Sequence, residues 1–160
     1  DADGLGAGVR GDARVINEQN SAKGIDEIQA DPFRGSGAVH NPELEMVEAR
    51  KNIDFFANLK AQMWWSLRMR FQNTYRALQG MQYDPDALIS LSTEDLDKRE
   101  LEQLKRELSQ PTYSKNGAGK ILVNKQPDGA LSPNRADSVM ICFRITVPFS
   151  TNMQFFCISF

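Results

Sequence analysis

The sequence of 160 residues contains few of the residue types on which catalytic triads and zinc centres are usually built. It has one histidine, His40, and two cysteines, Cys142 and Cys157, whose spacing matches no zinc motif. Because His40 lies in a predicted loop without a cysteine nearby, we expect neither a histidine-based triad nor a zinc site around it. The two cysteines are expected to be reduced thiols.

Long apolar runs and a strong net charge are also lacking. No stretch approaches the roughly 18 apolar residues that a membrane-spanning helix needs, so we expect no membrane contact. The net charge of −2 excludes a uniformly basic nucleic-acid binder, although it allows a local basic surface. The content of 41% hydrophobic and 25% charged residues is typical of a globular domain. Because the chain opens on Asp1 rather than methionine, we expect a fragment of a longer protein.

Hydrophobic periodicity, capping residues and turn residues predict several helices and one β-hairpin. Helices are predicted for residues 12–23, 54–78, 92–110 and 132–143. A hairpin is predicted within residues 112–125, and short strands are predicted for residues 25–33 and 88–91. The charges of the helix over residues 92–110 are expected to face solvent. In the last helix, Ser132 as N-cap and Pro133 at the first position place Asp137 near the positive end of the helix dipole.

The longest predicted helix has Asp54 as its N-cap and ends at Gly80. Its apolar residues recur every three or four positions and are expected to be core; they are Phe56, Leu59, Met63, Leu67, Phe71, Tyr75 and Leu78. Residues 50–76 contain six basic residues and one acidic residue, a local net charge of +5. Two interpretations of this basic face stay open, a solvated surface or contact with a polyanion.

Two glycine-containing segments are similar to nucleotide-binding motifs. The segment GAGVRG (residues 6–11) fits G-x-G-x-x-G, and Asp31 lies at the spacing of the ribose-binding acid. The regular alternation of strands and helices is missing, so a dinucleotide-binding oxidoreductase is the least favoured function. The segment GAGK (residues 117–120) lacks the first glycine and the Ser or Thr of a phosphate-binding loop, so no nucleotide site is expected there.

Carboxylates are the remaining candidates for chemistry. Mg²⁺ in proteins is held by a few carboxylates that leave positions open for phosphate and water. Asp1 and Asp3 in the glycine-rich opening and Asp137 near a helix start could meet in this way. Each of them alone is more often a cap, turn or surface residue. The residues by themselves leave both interpretations open.

The chain contains, in this order, the segments DADGLGAGV, FRGSGAV, FFANLKAQMWWSLRMRF and KILVNKQPDGALSPNRADSVMICF. Together they resemble the C-terminal nuclease part of tailed-bacteriophage terminase large subunits, which are DNA-packaging motors. The resemblance implies an α/β, ribonuclease H-like fold, a mixed sheet flanked by helices that lacks its first strand here. Residues 1–143 are expected to form this partial nuclease domain, and residues 144–160 an atypical apolar tail.

The resemblance also implies a function and a site. It implies an endonuclease that cuts concatemeric double-stranded DNA with two divalent metal ions, Mg²⁺ or Mn²⁺, in the cytoplasm of the bacterial host. Asp1 and Asp137 match two of the family's three metal-binding acids, with Asp3 as a supporting ligand. Lys125 is expected to reach a phosphate or the water on a metal. The basic helix face is then expected to contact the DNA backbone through Lys60, Arg68, Arg70 and Arg76.

The resemblance implies the portal protein and the small terminase subunit as further partners. The family's first acid and its ATPase domain would precede Asp1, so the metal site is expected to be incomplete in this chain. This incompleteness favours one alternative function, a catalytically inactive remnant or assembly module that binds the portal or the small subunit.

Overall fold

The computed structural model of the protein describes residues 6–29 and 32–144. They form an α/β arrangement, as predicted, in which one long helix packs against a small sheet and a shorter helix, and a further helix packs on that shorter one. The helices are α1 (Gly6–Ala22), α2 (Asn52–Phe55), α3 (Leu59–Leu78), α4 (Lys98–Ser109) and α5 (Asn134–Cys142), and the strands are β1 (Thr112–Lys115) and β2 (Ile121–Asn124). Two short 3₁₀ turns cover Pro85–Ala87 and Pro127–Gly129. None of the helices in these ranges is long and apolar enough to span a membrane.

The predicted hairpin is confirmed. Strands β1 and β2 pair antiparallel, with Thr112 opposite Asn124 and Lys115 opposite Ile121. On the other side of β2, Phe56 forms a single parallel bridge with Ile121. Within residues 6–29 and 32–144 the sheet therefore has two strands, and this isolated bridge is the one parallel pairing there. The predicted mixed sheet is not seen in these residues.

The core lies between the N-terminal half of α3, strand β2 and α5. Helix α3 contributes the buried residues Ala61, Met63, Trp64 and Leu67, and the partners that pack against them include Phe56, Ile121, Val123, Ala136 and Met140. This half of the helix lies between β2 and α5, so it buries apolar side chains on more than one face. Burial of this apolar surface is the main stabilising contribution in such a core.

The predicted start of the longest helix was wrong, and its apolar stripe is only partly core. Asp54 lies inside the separate helix α2, and α3 begins at Leu59 with Asn58 as its N-cap, whose side chain accepts a hydrogen bond from the amide of Ala61. The break arises because Phe56 is extended and bridges β2. Toward the end of α3 the stripe residues are exposed, with exposed fractions of 37% for Phe71, 61% for Tyr75 and 79% for Leu78.

Two predicted strands were also wrong for the residues that are described. Residues 25–29, 32 and 33 form no strand, and Ile25 and Ile28 are exposed. Residues 88–91 form a loop in which Ile89 is buried. The amide of Ile89 donates to the hydroxyl of Thr74 on α3, and this hydroxyl donates to the carbonyl of Ile89. The hydroxyl therefore pairs the backbone groups that a neighbouring strand would otherwise pair. The segment GAGVRG lies within α1, so these glycines are helical rather than part of a loop around a nucleotide.

Three buried amide side chains hold loops against the helices. Gln62 on α3 accepts a hydrogen bond from the amide of His40 at 2.6 Å and donates to its carbonyl at 2.8 Å. Asn52 donates to the carbonyls of His40 and Asn41. Asn73 makes the equivalent contacts with the loop over residues 84–87. Buried polar groups paired in this way give the loops one defined position, since an unpaired partner would be costly.

We predict that Gln62→Ala lowers the free energy of unfolding by about 2 kcal/mol, because the amide of His40 loses its partner and its carbonyl keeps only the bond from Asn52. Urea unfolding measures the difference. Gln72→Ala, on the exposed side of the same helix, is the matched control and should change stability by no more than about 0.5 kcal/mol. Equal effects of the two substitutions would contradict the role assigned to Gln62.

Candidate active site

Asp137 lies in the first turn of α5, which confirms the prediction that it is near the start of this helix. The helix begins at Asn134, one residue later than expected, and Ser132 is not its N-cap. Instead, Pro133 occupies the capping position and makes no side-chain capping bond. The amide of Asp137 donates to the carbonyl of Pro133 at 2.8 Å, which makes Asp137 part of the regular helix. Its carboxylate therefore has the fixed direction of a helical side chain.

The structure brings Asp137 together with Lys125, another of the predicted site residues. Lys125 follows the last residue of β2, and its ammonium donates directly to Oδ2 of Asp137 in an ion pair. Both side chains are largely buried, with exposed fractions of 21% for Lys125 and 19% for Asp137. The second oxygen of Asp137, Oδ1, is buried and has no hydrogen-bond partner among the described residues. A buried carboxylate oxygen without a donor is costly, and a bound cation would satisfy it.

Asp137 and Lys125 form part of the wall of a cavity of about 280 Å³. Four segments of the chain build this cavity: the loop over residues 33–37, the start of α3, the end of β2, and α5. The remaining lining residues are Phe33, Gly35, Ser36, Asn58, Lys60, Met140 and Ile141. Two lysines and one aspartate thus line a single small cavity. This combination suits an anionic group and a cation bound side by side.

The loop over residues 33–37 is attached to the first turn of α3. The amides of Lys60 and Leu59 donate to the carbonyls of Gly35 and Gly37 at 2.8 and 2.9 Å. Gly35 is buried, and a Cβ atom there would lie 3.2 Å from Cβ of Lys60. Glycine therefore allows the close approach of loop and helix that places Lys60 and Ser36 at the cavity. Ser36 and Asn58 were missed from the sequence, where the segment FRGSGAV indicated only a loop; its closely spaced glycines were the available signal.

A buried carboxylate on α4 holds the N-terminus of α5. Glu107 is 5% exposed, and its Oε2 accepts hydrogen bonds from the amides of Arg135 and Ala136 at 2.7 and 3.2 Å. Its Oε1 accepts a hydrogen bond from Gln103 at 2.8 Å. The prediction that the charges of this helix face solvent was therefore wrong for Glu107. Its position three residues after the buried Leu104, on the apolar face, was the signal that was missed.

These contacts determine the protonation of Glu107. Burial alone raises its pKa, but the hydrogen bonds from Gln103 and from the amides of Ala136 and Arg135, with the positive charge of Arg135, outweigh that effect. The pKa of Glu107 is therefore held below its ordinary value of 4.5. The N-terminus of a helix also favours a negative charge at this place.

The basic residues of α3 have different surroundings. Lys60 lines the cavity. Arg68 is exposed, and its guanidinium stacks on Trp65 at 4.8 Å from the ring centre and lies 6.0 Å from that of Tyr113. Arg70 donates to the carbonyl of Leu88 at 3.0 Å and packs over the ring of Phe143. Arg76 is exposed in the last turn.

The described residues supply one acidic side chain to the cavity. Asp1 and Asp3, the other predicted metal ligands, lie outside the described residues, as does Asp31, which has the spacing of a ribose-binding acid. Among residues 6–29 and 32–144, no group of three or more His, Cys, Asp or Glu side chains is arranged to hold a metal ion. Asp137 fits a divalent cation through its buried oxygen, but a full set of ligands requires further groups.

The chain is similar in sequence and structure to nuclease domains of viral terminase large subunits, so the resemblance predicted from its sequence is confirmed. The similar structures come from subunit gp2 of bacterial virus Sf6. Its nuclease domain is 34% identical to this chain with a TM-score of 0.75, over 91% of this chain and 64% of that domain. A mutant of that domain with manganese and beta-thujaplicinol is equally similar, at 34% identity and a TM-score of 0.75, over 92% of this chain and 64% of that one.

A mutant form with calcium is 34% identical with a TM-score of 0.73, over 91% of this chain and 63% of that one. This chain therefore spans slightly less than two thirds of the length of these structures. No protein-family model matches the chain, and no match was found among curated proteins.

We predict that the stabilisation contributed by Glu107 is lost in acid. Because its pKa is lowered in the folded state, the contribution is fully present above the ordinary value of 4.5 and declines as the pH falls through the folded value. Urea unfolding of the wild type and Glu107→Gln between about pH 6 and pH 3 should give a stability difference that shrinks with falling pH. Glu94→Gln, at an exposed loop position, should keep the wild-type pH dependence. A stability difference for Glu107→Gln that does not vary with pH would contradict the assignment.

Proposed function

We propose that this protein is the nuclease part of a phage DNA-packaging terminase and that it cuts concatemeric double-stranded DNA in a reaction that depends on divalent metal ions. The observation that carries this proposal is the buried Oδ1 of Asp137, which has no hydrogen-bond partner among the described residues and lies beside Lys125 in the wall of a small cavity. The similarity to the gp2 nuclease domain supports it. We assign residues 1–143 to a partial ribonuclease H-like domain.

The metal site is proposed to use Asp137 together with Asp1 and Asp3. Carboxylate oxygens are the ligands that Mg²⁺ and Mn²⁺ prefer, and the gp2 nuclease domain was solved with manganese and with calcium. When bound, two such ions would polarise the scissile phosphate and supply a nucleophilic hydroxide near neutral pH. Asp137 fits this role because it belongs to a helix and its Oδ1 has no hydrogen-bond partner in the part of the chain that the structure describes.

The two lysines are proposed to hold the scissile phosphate. The ammonium of Lys125 has three N–H donors, of which one is directed at Oδ2 of Asp137, so others remain for phosphate oxygens. Lys60 lines the same cavity from the first turns of α3. A phosphate placed between these ammonium groups would lie close to Asp137. Lys125 thus orients the carboxylate and the substrate together.

The DNA backbone is proposed to pass along α3. Lys60, Arg68 and Arg76 are available for phosphate contacts, and the stacking of Arg68 on Trp65 holds its guanidinium in place. Arg70, also proposed from the sequence, already donates one nitrogen to Leu88, so we expect a smaller contribution from it. Contacts of this kind position a duplex without reading its sequence. The portal protein and the small terminase subunit are the proposed protein partners.

We predict that Asp137→Asn abolishes Mn²⁺-dependent cleavage of plasmid DNA, with a fall in rate of at least about a hundred-fold, because the amide removes the negative charge that binds the metal. A gel assay of plasmid cleavage measures the rate, and circular dichroism checks the fold. The matched control is Asp128→Asn, in the exposed turn after β2, which should cleave like the wild type.

Full activity of a folded Asp137→Asn variant would remove Asp137 from the site. If the wild type neither binds Mn²⁺ nor cleaves DNA, the nuclease proposal fails and the alternative of an inactive assembly module is favoured. Calorimetry with Mn²⁺ on the same preparations separates these two results.

We predict that Arg68→Ala weakens the binding of duplex DNA and lowers the dependence of affinity on salt. Loss of one phosphate contact reduces the slope of log K against log salt concentration by about 0.9. Fluorescence anisotropy at several salt concentrations measures this slope. Lys98→Ala, an exposed lysine at the start of α4, is the control and should leave the slope unchanged. An unchanged slope in Arg68→Ala would exclude this residue from the DNA interface.

A further inference from the structure

Glu107 has an unusual position for an acidic residue. Among the described residues it is the one charged side chain that is buried below a tenth exposure, and it lies on the inner face of α4 next to α5. The Nη1 atom of Arg135 lies 3.7 Å from Oε1 of Glu107, and the side chain of Arg135 is half exposed. The buried carboxylate of Glu107 is therefore stabilised mainly by hydrogen bonds from backbone amides and Gln103, and less by its ion pair with Arg135.

The contacts of Glu107 replace the missing cap of α5. The first amides of a helix have no partner within the helix, and a side chain at the N-cap usually accepts from them. Pro133 cannot do so, and Glu107 accepts from the amides of Arg135 and Ala136 instead. The acceptor thus comes from a different helix. Helix α5 is consequently tied to α4 at its first turn.

This attachment acts on the residue next to Asp137. Ala136 is fully buried against the core, so the position of its backbone determines how α5 is rotated about its axis. Asp137 follows it directly, and its side chain points toward Lys125 and the cavity. A change of the first turn of α5 would therefore redirect the carboxylate, while Met140, one turn later, could keep the rest of the helix packed.

We propose that Glu107 is a positioning residue of the nuclease site: it holds the first turn of α5 so that Oδ1 of Asp137 faces the cavity and can bind a divalent cation. This inference rests on the proposed nuclease function. Glu107 is not among the residues that line the cavity, so it acts on Asp137 through the backbone of residues 135 and 136.

The test compares Glu107→Ala and Glu107→Gln with Glu102→Ala in the complete protein. Glu102 lies on the same helix but is exposed, and its partner is Lys105 at 2.8 Å. Mn²⁺ affinity is measured by calorimetry, and cleavage is measured as kcat and KM for DNA, at temperatures where circular dichroism shows each variant folded. We expect Glu107→Ala to weaken Mn²⁺ binding by about 10- to 100-fold, as for other groups that orient metal ligands.

In the same variant kcat should fall while KM for DNA stays unchanged. Glu107→Gln keeps one acceptor oxygen, so it should restore part of the affinity, and Glu102→Ala should behave like the wild type. A folded Glu107→Ala with wild-type Mn²⁺ affinity and kcat would overturn the proposal, because Glu107 would then only stabilise the fold. If Glu107→Ala does not fold, wild-type affinity in Glu107→Gln overturns the proposal, and weakened affinity supports it.

A second measurement keeps this test separate from the nuclease proposal. The coupling between Lys125 and Asp137 is measured by a double-mutant cycle of Lys125→Met and Asp137→Asn in urea, first with Glu107 and then with Glu107→Gln. Weaker coupling in the second cycle supports positioning even if the protein binds no Mn²⁺. Equal coupling in both cycles overturns the proposal whether or not the protein is a nuclease.

Discussion

Backbone hydrogen bonds around the first turns of α3 hold β2 and the loop over residues 33–37 in place. Phe56 is extended so that it bridges Ile121 on β2, and this ends α2 and leaves Asn58 free to cap a new helix. The carbonyls of Gly35 and Gly37 then accept from the next amides of α3. The strand, the loop and the helix are therefore fixed relative to one another by backbone bonds. The cavity lies where these three elements meet α5.

The described residues contain few buried charges, and the carboxylates of Glu107 and Asp137 differ in how many hydrogen bonds they accept. Both carboxylate oxygens of Glu107 accept hydrogen bonds from the protein. In Asp137 only one oxygen does so: Lys125 donates to Oδ2, and Oδ1 has no donor among these residues. These two carboxylates thus differ in the number of donors that the described residues provide. A carboxylate left incompletely satisfied in a cavity is the arrangement expected of a ligand site rather than of a structural ion pair.

The local elements could be predicted from the sequence better than their boundaries and packing. Local signals predicted the hairpin and the position of Asp137 near the start of a helix. The separate start of α3 at Asn58 could not be predicted, because it depends on a bridge between residues 56 and 121 that are far apart in the chain. The partner of Lys125 was also unpredicted, since spacing alone cannot show which carboxylate a lysine meets. Glu107 could have been found from its place on an apolar helix face.

The basic residues of α3 differ in their surroundings, which the net charge of the segment does not show. Along one helix, Lys60 is directed to the cavity, Arg70 is held by a carbonyl of the loop before α4, and Arg68 is held by aromatic rings at the surface. A net charge of +5 over residues 50–76 attracts a polyanion from a distance, whereas the packing of each side chain determines which charges can contact it. Under the proposed function, the end of α3 that lines the cavity with Asp137 would combine this attraction with the metal site. A duplex proposed to bind along α3 would then place one of its phosphates at the cavity.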